Sequence, residues 1–255
     1  MMSATRMLHV ILDRLFAMAG RMLRSRRRPG ACQAPTARAA GIVWTSFAVA
    51  AAANPSDASA QWTPTVVRAE SDAWTRSVSC WVQTCVIGLE LCPWAAAAAA
   101  GGMRVVVERG DEGDVLTCVA RELRTLADTA GVTERATTLV ASPGAFESFA
   151  SFLDGAAAVE DMIDARDLTG VIQLATFHPT FRFAETEEHD ASNWTNRSPC
   201  PVFHLLREAD VTRALRAGRV DAEQIWSANV ARTRALGSAH MRGLLGGCAP
   251  RKVRA

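Results

Sequence analysis

The chain has 255 residues, 49% of them hydrophobic, with a formal charge of +2. That is long enough for one large domain or two small ones, and apolar enough to build a core and exclude a disordered protein. The charge is uneven: residues 1–60 hold Arg6, Arg14, Arg21, Arg24, Arg26, Arg27, Arg28 and Arg38 against only Asp13 and Asp57, so 20 basic and 24 acidic residues remain beyond position 60, a net of −4. That remainder lacks the positive excess of a non-specific nucleic-acid binder. No stretch reaches the 18 or so apolar residues of a membrane span.

Residues 1–60 read as a targeting presequence or a disordered segment. "MLHVILDRLFAMAGRMLRSRRR" is Arg-rich and almost free of acids, and Leu8, Ile11, Leu12, Leu15 and Phe16 fall at helical spacings. These are marks of an organellar presequence, so a mitochondrial or plastid destination is expected. The short apolar run before Ala58-Ser59-Ala60 resembles a secretory or lumenal cleavage site and keeps that destination as the alternative. If residues 1–60 are not a presequence, the protein is cytoplasmic.

From Asp72 to Leu91, apolar residues at Trp74, Val78, Val82, Cys85, Val86 and Leu89 predict an amphipathic helix, with Ser71 or Asp72 as N-cap and Pro93 forbidding its continuation. "AAAAAAGG" is ambiguous, because alanine favours helix and paired glycines end one. "MRVVVE" reads as a short buried strand, followed by a helix with Val115, Val119, Leu123 and Leu126 inward. The unit repeats: "ATTLVASP" is a strand, "AFESFASFLDGAAAVEDMIDA" a helix with Phe146, Phe149 and Leu153 on one stripe, and "TGVIQLATF" a strand with both faces covered. "PVFHLLRE" is read as a fourth strand, which puts His204 and Arg207 on opposite faces, and Asp210 as the N-cap of a fresh helix. One more helix from Asp221 leads to "GGCAPRKVRA", a basic, frayed tail.

The fold expected is therefore α/β (mixed α+β): a single mixed sheet of about four strands with helices packed on it. Residues 61–245 form one globular domain and 246–255 a C-terminal tail. The seven cysteines contain no Cys-x2-Cys pair and are scattered, so most are expected to be small buried apolar residues in a reducing compartment, with neither a disulfide scaffold nor a zinc site. No metal is expected, the acidic run "ETEEHD" reading as a solvated loop.

Three segments, "WVQTCVIGLELCPWA", "IQLATFHPTFRFA" and "NWTNRSPCPVFHLLRE", together resemble the family catalogued as domain of unknown function 1415, over roughly residues 72–240. The resemblance brings no activity with it. The chain departs from the family pattern where Trp94 replaces Phe, and where Trp194 and Cys200 each replace Tyr. With no Tyr anywhere in the chain, no phenol is essential here.

The candidate site is built on the polar stretch after the third strand. His178 follows that strand immediately, where ligands of α/β sheets bind, and it serves there as acid or base or else caps the strand end. His204 is the second candidate. Asn193, Thr195, Asn196, Arg197 and Ser198 crowd one short loop, which either satisfies its own backbone or binds an anion through the planar Arg197 fork. Arg207 is expected to help hold that anion. Cys92, in "LCPW", is a weaker candidate thiol, because a helix C-terminus disfavours thiolate.

Two functions follow from these residues. One is an enzyme acting on a small anionic molecule, with the two Asn orienting it. The other is a non-catalytic binding or assembly module that presents Trp194 and Arg197 to a partner. A pocket lined by His178, Asn196 and Arg197 would favour the first, and an exposed Trp194 the second. The sequence identifies no cofactor and no oligomeric state.

Overall fold

The computed structural model describes residues 72–100, 102–128, 137–218 and 221–250. The expected presequence over 1–60 lies outside them. Helix α1 (Ala73–Trp81) runs without a break into a π-helical turn, Val82–Ile87. The spacing predicted a single helix to Leu91, but Gly88 N–H donates to Gln83 O and Leu91 N–H to Val86 O, each five residues back. The last of these bonds closes over Glu90, whose φ is 52°. Asp72 precedes α1 without capping it and pairs instead with Arg109. A short α2 (Ala95–Ala100) follows, resolving the ambiguous alanine run as helix.

The sheet contains β1 (Met103–Val107), β2 (Thr137–Ala141), β3 (Ile172–Phe177) and β4 (Val202–Arg207). Its order is β1-β2-β4-β3. Strand β1 is parallel to β2, joined to it through α3 (Glu112–Asp128). Strand β3 follows β2 through α4 (Phe149–Asp164), yet the two do not touch, because β4 lies antiparallel between them and bonds to both. All four strands were expected; the insertion of the last between the second and third was not.

Helices α3 and α4 cover one face. Their inner residues Val119, Leu123, Phe152 and Val159 are all at 0% exposure and meet Phe203 and Leu205 of β4. Helix α4 starts later than its sequence suggests. Ser148 accepts the Ser151 N–H and caps the helix at Phe149, so Phe146 stands outside it at φ 58° and the buried stripe is Phe152, Gly155, Val159 and Ile163. Phe146 reaches over the helix at Gly155, where an added Cβ would lie 2.5 Å from its ring. Glu122, a carboxylate buried in this layer, is neutralised by Arg104 of β1, Nε to Oε2 3.1 Å.

On the other face, Val78, Trp81 and Val82 pack on Leu139, Ala141 and Val202. Strand β4 turns directly into α5 (Glu208–Gly218), because Glu208 N–H still donates to Val171 O. Asp210 is therefore inside the first turn and binds Arg213 at 3.0 Å instead of capping a new helix. Helix α6 (Ala222–Gly247) begins with a capping box of Asp221 and Gln224 and breaks at Gly237, φ 79° and ψ 156°, a backbone open to glycine alone. No helix among the described residues is long and apolar enough to cross a membrane.

The chain end differs from expectation. The sequence pattern places the start of the tail at 246, but α6 continues to Gly247, and Cys248 is 2% exposed and disulfide-bonded to Cys80, 168 residues away, with Cα atoms 5.4 Å apart. Scattered positions in the sequence are neighbours here because α6 returns to the first helix, where Ser77 Oγ donates to Cys248 O. Cys85, Cys92, Cys118 and Cys200 are free.

Closing so long a loop removes denatured-state entropy equivalent to about 5 kcal/mol, within a usual range of about 2–5 for measured bridges. Cys248→Ser, and dithiothreitol on the natural chain, are each expected to lower the urea midpoint, and with it the unfolding free energy by an amount in that range. If neither treatment moves the midpoint, the two sulfurs are not bonded in solution.

Candidate functional site

Strand alternation builds the site. On the face away from α3 and α4, Gln173, Ala175 and Phe177 of β3 stand beside His204 and Leu206 of β4 and Leu139 of β2, with Leu139, His204 and Ala175 in register. Trp81 and Val82 close one side, Cys92 to Ala95 another, and Val211, Ile225, Trp226 and Asn229 of α5 and α6 the third. A cavity of about 230 Å³ remains between them. Among the described residues its polar lining consists of Cys92, Gln173, Thr195, Asn196, His204 and Asn229, with no Lys, Arg, Asp or Glu.

His204 is fixed by its neighbours in one tautomer. Thr137 Oγ1 has a single proton, given to Leu205 O at 2.6 Å. The 2.7 Å contact between Thr137 Oγ1 and His204 Nε2 must then be donated by the ring. Nε2 holds the hydrogen and Nδ1 a lone pair, and no described residue bonds to Nδ1. Burial pushes the pKa down to about 3, so the ring is neutral near pH 7.

Gln173 supplies the second open group. Its Oε1 is buried without a hydrogen-bond partner. Asn229 donates Nδ2 to Leu91 O at 2.7 Å, which holds the Leu91 corner against α6 and leaves its Oδ1 as a further acceptor. Asn196 is occupied: Nδ2 donates to Thr176 O at 3.1 Å and Oδ1 accepts from Thr195 Oγ1 at 3.0 Å.

The structure separates the residues singled out by the sequence. Cys92, Thr195, Asn196 and His204 reach the cavity; His178, Asn193, Arg197, Ser198 and Arg207 do not. His178 is 1% exposed, with Nε2 3.0 Å from Phe146 O and Nδ1 accepting from Thr180 N–H at 3.1 Å. Both nitrogens are committed, and the ring lies between Phe149 and Phe152. Burial lowers its pKa. The strand-capping reading describes it.

The polar loop likewise spends its side chains on its own backbone. Asn193 Oδ1 accepts Phe183 N–H at 3.0 Å and Thr186 Oγ1 at 2.8 Å, while its Nδ2 donates to Glu187 O at 2.8 Å. Arg197 donates to Phe181 O at 3.2 Å and Glu188 O at 2.9 Å and lies over the Trp194 ring at 4.7 Å. Ser198 Oγ donates to Cys200 O at 2.6 Å. Arg207 donates to Leu126 O in the last turn of α3, at 3.0 and 3.2 Å, and faces Asp210 at 3.7 Å. Neither arginine is placed to hold an anion in the cavity. Trp194 is 7% exposed, packed with Ala191 and Met241, so the loop does not present it to a partner.

Cys92 precedes α2 instead of ending a helix, and its thiol is pushed up by burial despite nearby Trp94 and Ala95 N–H groups that favour thiolate. Asp190, in the acidic run, caps the 3-10 turn Ala191–Thr195 and is ion-paired with Arg234 at 2.8 Å, which depresses its pKa below the usual carboxylate range. Gln173, Asn229 and the flanking Trp81 and Trp226 went unnoticed in the sequence. An isolated amide within the apolar run "IQLATF" was the available signal for Gln173.

No curated protein and no solved structure matches the chain. A family profile described as "Protein of unknown function (DUF1415)" matches residues 73–243. The three segments that first suggested this relationship all contribute walls to the one cavity, and the chain belongs to that family.

Proposed function

We propose that the protein binds a small, uncharged and predominantly apolar molecule in the cavity between the sheet and α5 and α6. The observation that carries this reading is the convergence of the three family segments, through Trp81 and Trp94, through Gln173 and Phe177, and through Asn196 and His204, on one space with no charged residue among its described lining. At 230 Å³ the space exceeds the roughly 150 Å³ that accepts benzene and falls short of the roughly 300 Å³ of drug-sized pockets. One or two rings fit it. A histidine with a pKa of about 3 is too weak a base for proton transfer near neutrality, so His204 acts as a hydrogen-bond acceptor.

The test is a thermal-shift series on the full chain with neutral one- and two-ring compounds. A ligand at 100 times its Kd adds about 2.7 kcal/mol, or roughly 5–10 °C in Tm for a domain of this size. Ala175→Phe and Ala98→Leu place new side chains in the cavity and are each expected to weaken binding at least tenfold while melting stays cooperative. Undiminished binding by both variants would place the ligand elsewhere.

His204 also sets a pH dependence. The unfolded imidazole protonates below about pH 6.5, whereas the folded ring stays neutral down to about pH 3. The unfolded state therefore binds the extra proton, and stability falls as pH drops from 6.5 toward 3, by at most about 1.4 kcal/mol per unit from this ring. It contributes no slope at higher pH. Buried His178, shifted in the same direction, adds to the effect. His204→Asn is expected to flatten the decline of urea midpoints between pH 6.5 and 4.5; an unchanged decline would assign it to other groups.

We infer an oxidising destination from the Cys80–Cys248 bond, since disulfides rarely persist in reducing compartments. This favours the secretory or lumenal alternative over an organellar matrix. Alkylation of thiols at the moment of cell lysis, followed by mass analysis, tests it: labelling of both cysteines would favour the matrix.

A further inference from the structure

The cavity is polar at only a few points, and two of them, side by side on the sheet, are acceptors without a partner among the described residues. His204 Nδ1 is an acceptor because Thr137 forces the hydrogen onto Nε2. Gln173 Oε1 is an acceptor with no partner, and leaving such a group buried and unbonded costs about 1–3 kcal/mol. Gln173 sits two residues from Ala175, which is in register with His204 on the adjacent strand. The two side chains are thus diagonal neighbours on one sheet face, with Cα atoms separated by about 7–8 Å.

The walls beside these acceptors are flat. Trp81 meets Phe177 edge-on, centroids 5.0 Å apart at 69°, and Phe177 lies 6.1 Å from the His204 ring at 39°. Trp226, 40% exposed, stands at the rim. Aromatic surfaces at such angles favour a planar guest by about 0.5–1.5 kcal/mol beyond area burial. An ion would enter without any countercharge from the described lining, at a desolvation cost that neutral acceptors only partly offset.

We propose that the cavity selects planar aromatic molecules of one or two rings that carry an N–H or O–H donor, recognised by His204 Nδ1 and Gln173 Oε1. This rests on the reading of the cavity as a binding site. The donor fills the valence that Gln173 leaves open in the free protein, so the matched ligand gains over a ring of equal size lacking it. The gain expected from one satisfied buried acceptor is about tenfold in affinity.

Titration calorimetry on the full chain separates the two ideas with indole as donor, benzothiophene as a ring of similar shape with neither function, and quinoline as acceptor. Indole is expected to bind about tenfold tighter than either of the others. Gln173→Leu and His204→Phe are each expected to remove that advantage while leaving benzothiophene affinity within twofold. A purely structural role for these residues would weaken all three probes together and overturn the proposal. Equal binding of the three probes, or a preference for quinoline, overturns donor recognition and leaves the cavity reading standing. If none of the three binds, both fall. Should His204→Phe not fold, Gln173→Leu, a near-isosteric change, decides the matter alone.

Discussion

Strand β4 is hydrogen-bonded along both edges, to β2 and to β3, and the rest of the molecule is arranged around that double pairing. Because side chains alternate along it, Phe203 and Leu205 enter the layer under α3 and α4 while Val202, His204 and Leu206 enter the opposite one. A slip by one residue would carry the imidazole into a packed aromatic core and Phe203 into the cavity. Both neighbours would have to accept the slip together, so the position of His204 is determined twice. The Thr137 hydroxyl, bonded to both His204 and Leu205, pins the same register from a side chain.

The cavity exists because the second face of the sheet is covered by small residues where large ones would close it. Ala95, Ala98, Ala175, Ala214 and Ala222 line the space, and the tryptophans stand around them. The π-helical turn contributes as well. By closing its ladder five residues back, it carries the chain out to Leu91 and lets Cys92, Pro93 and Trp94 fold over the opening before α2 begins. Widened helical turns of this kind recur at functional sites because they redirect the residues that follow. Asn229 holds that corner to α6 through Leu91 O, so two elements far apart in the chain form one rim.

Much of the fold was legible because hydrophobic period reports burial directly. The four strands and the helices between them follow from runs such as "RVVV" and from Val115, Val119, Leu123 and Leu126, whose spacing leaves one interpretation. Strand order was not legible, since nothing local distinguishes an edge strand from one inserted between two others. Most of the polar loop's side chains turn away from the cavity for a physical reason. Residues 178–201 cross from β3 to β4 with little regular structure, and each buried carbonyl and amide there needs a partner. Asn193, Arg197 and Ser198 supply those partners, and a loop that satisfies itself has the same composition as one that binds an anion. Gln173 was overlooked for the opposite reason: an amide in a strand reads as a solvent-facing position, and only its missing partner marks it.

The covalent link between Cys80 and Cys248 gives the domain the connectivity of a ring. It joins the first described helix to the end of the last one, enclosing the whole sheet within the closed circuit. Tension applied to the flanking segments therefore runs through the sulfur bridge and never loads the strand ladders in between. A cut in an exposed turn such as the one at Gly170 would open the circuit without releasing either half. The sheet is in this sense mechanically insulated from whatever the two ends of the domain are attached to.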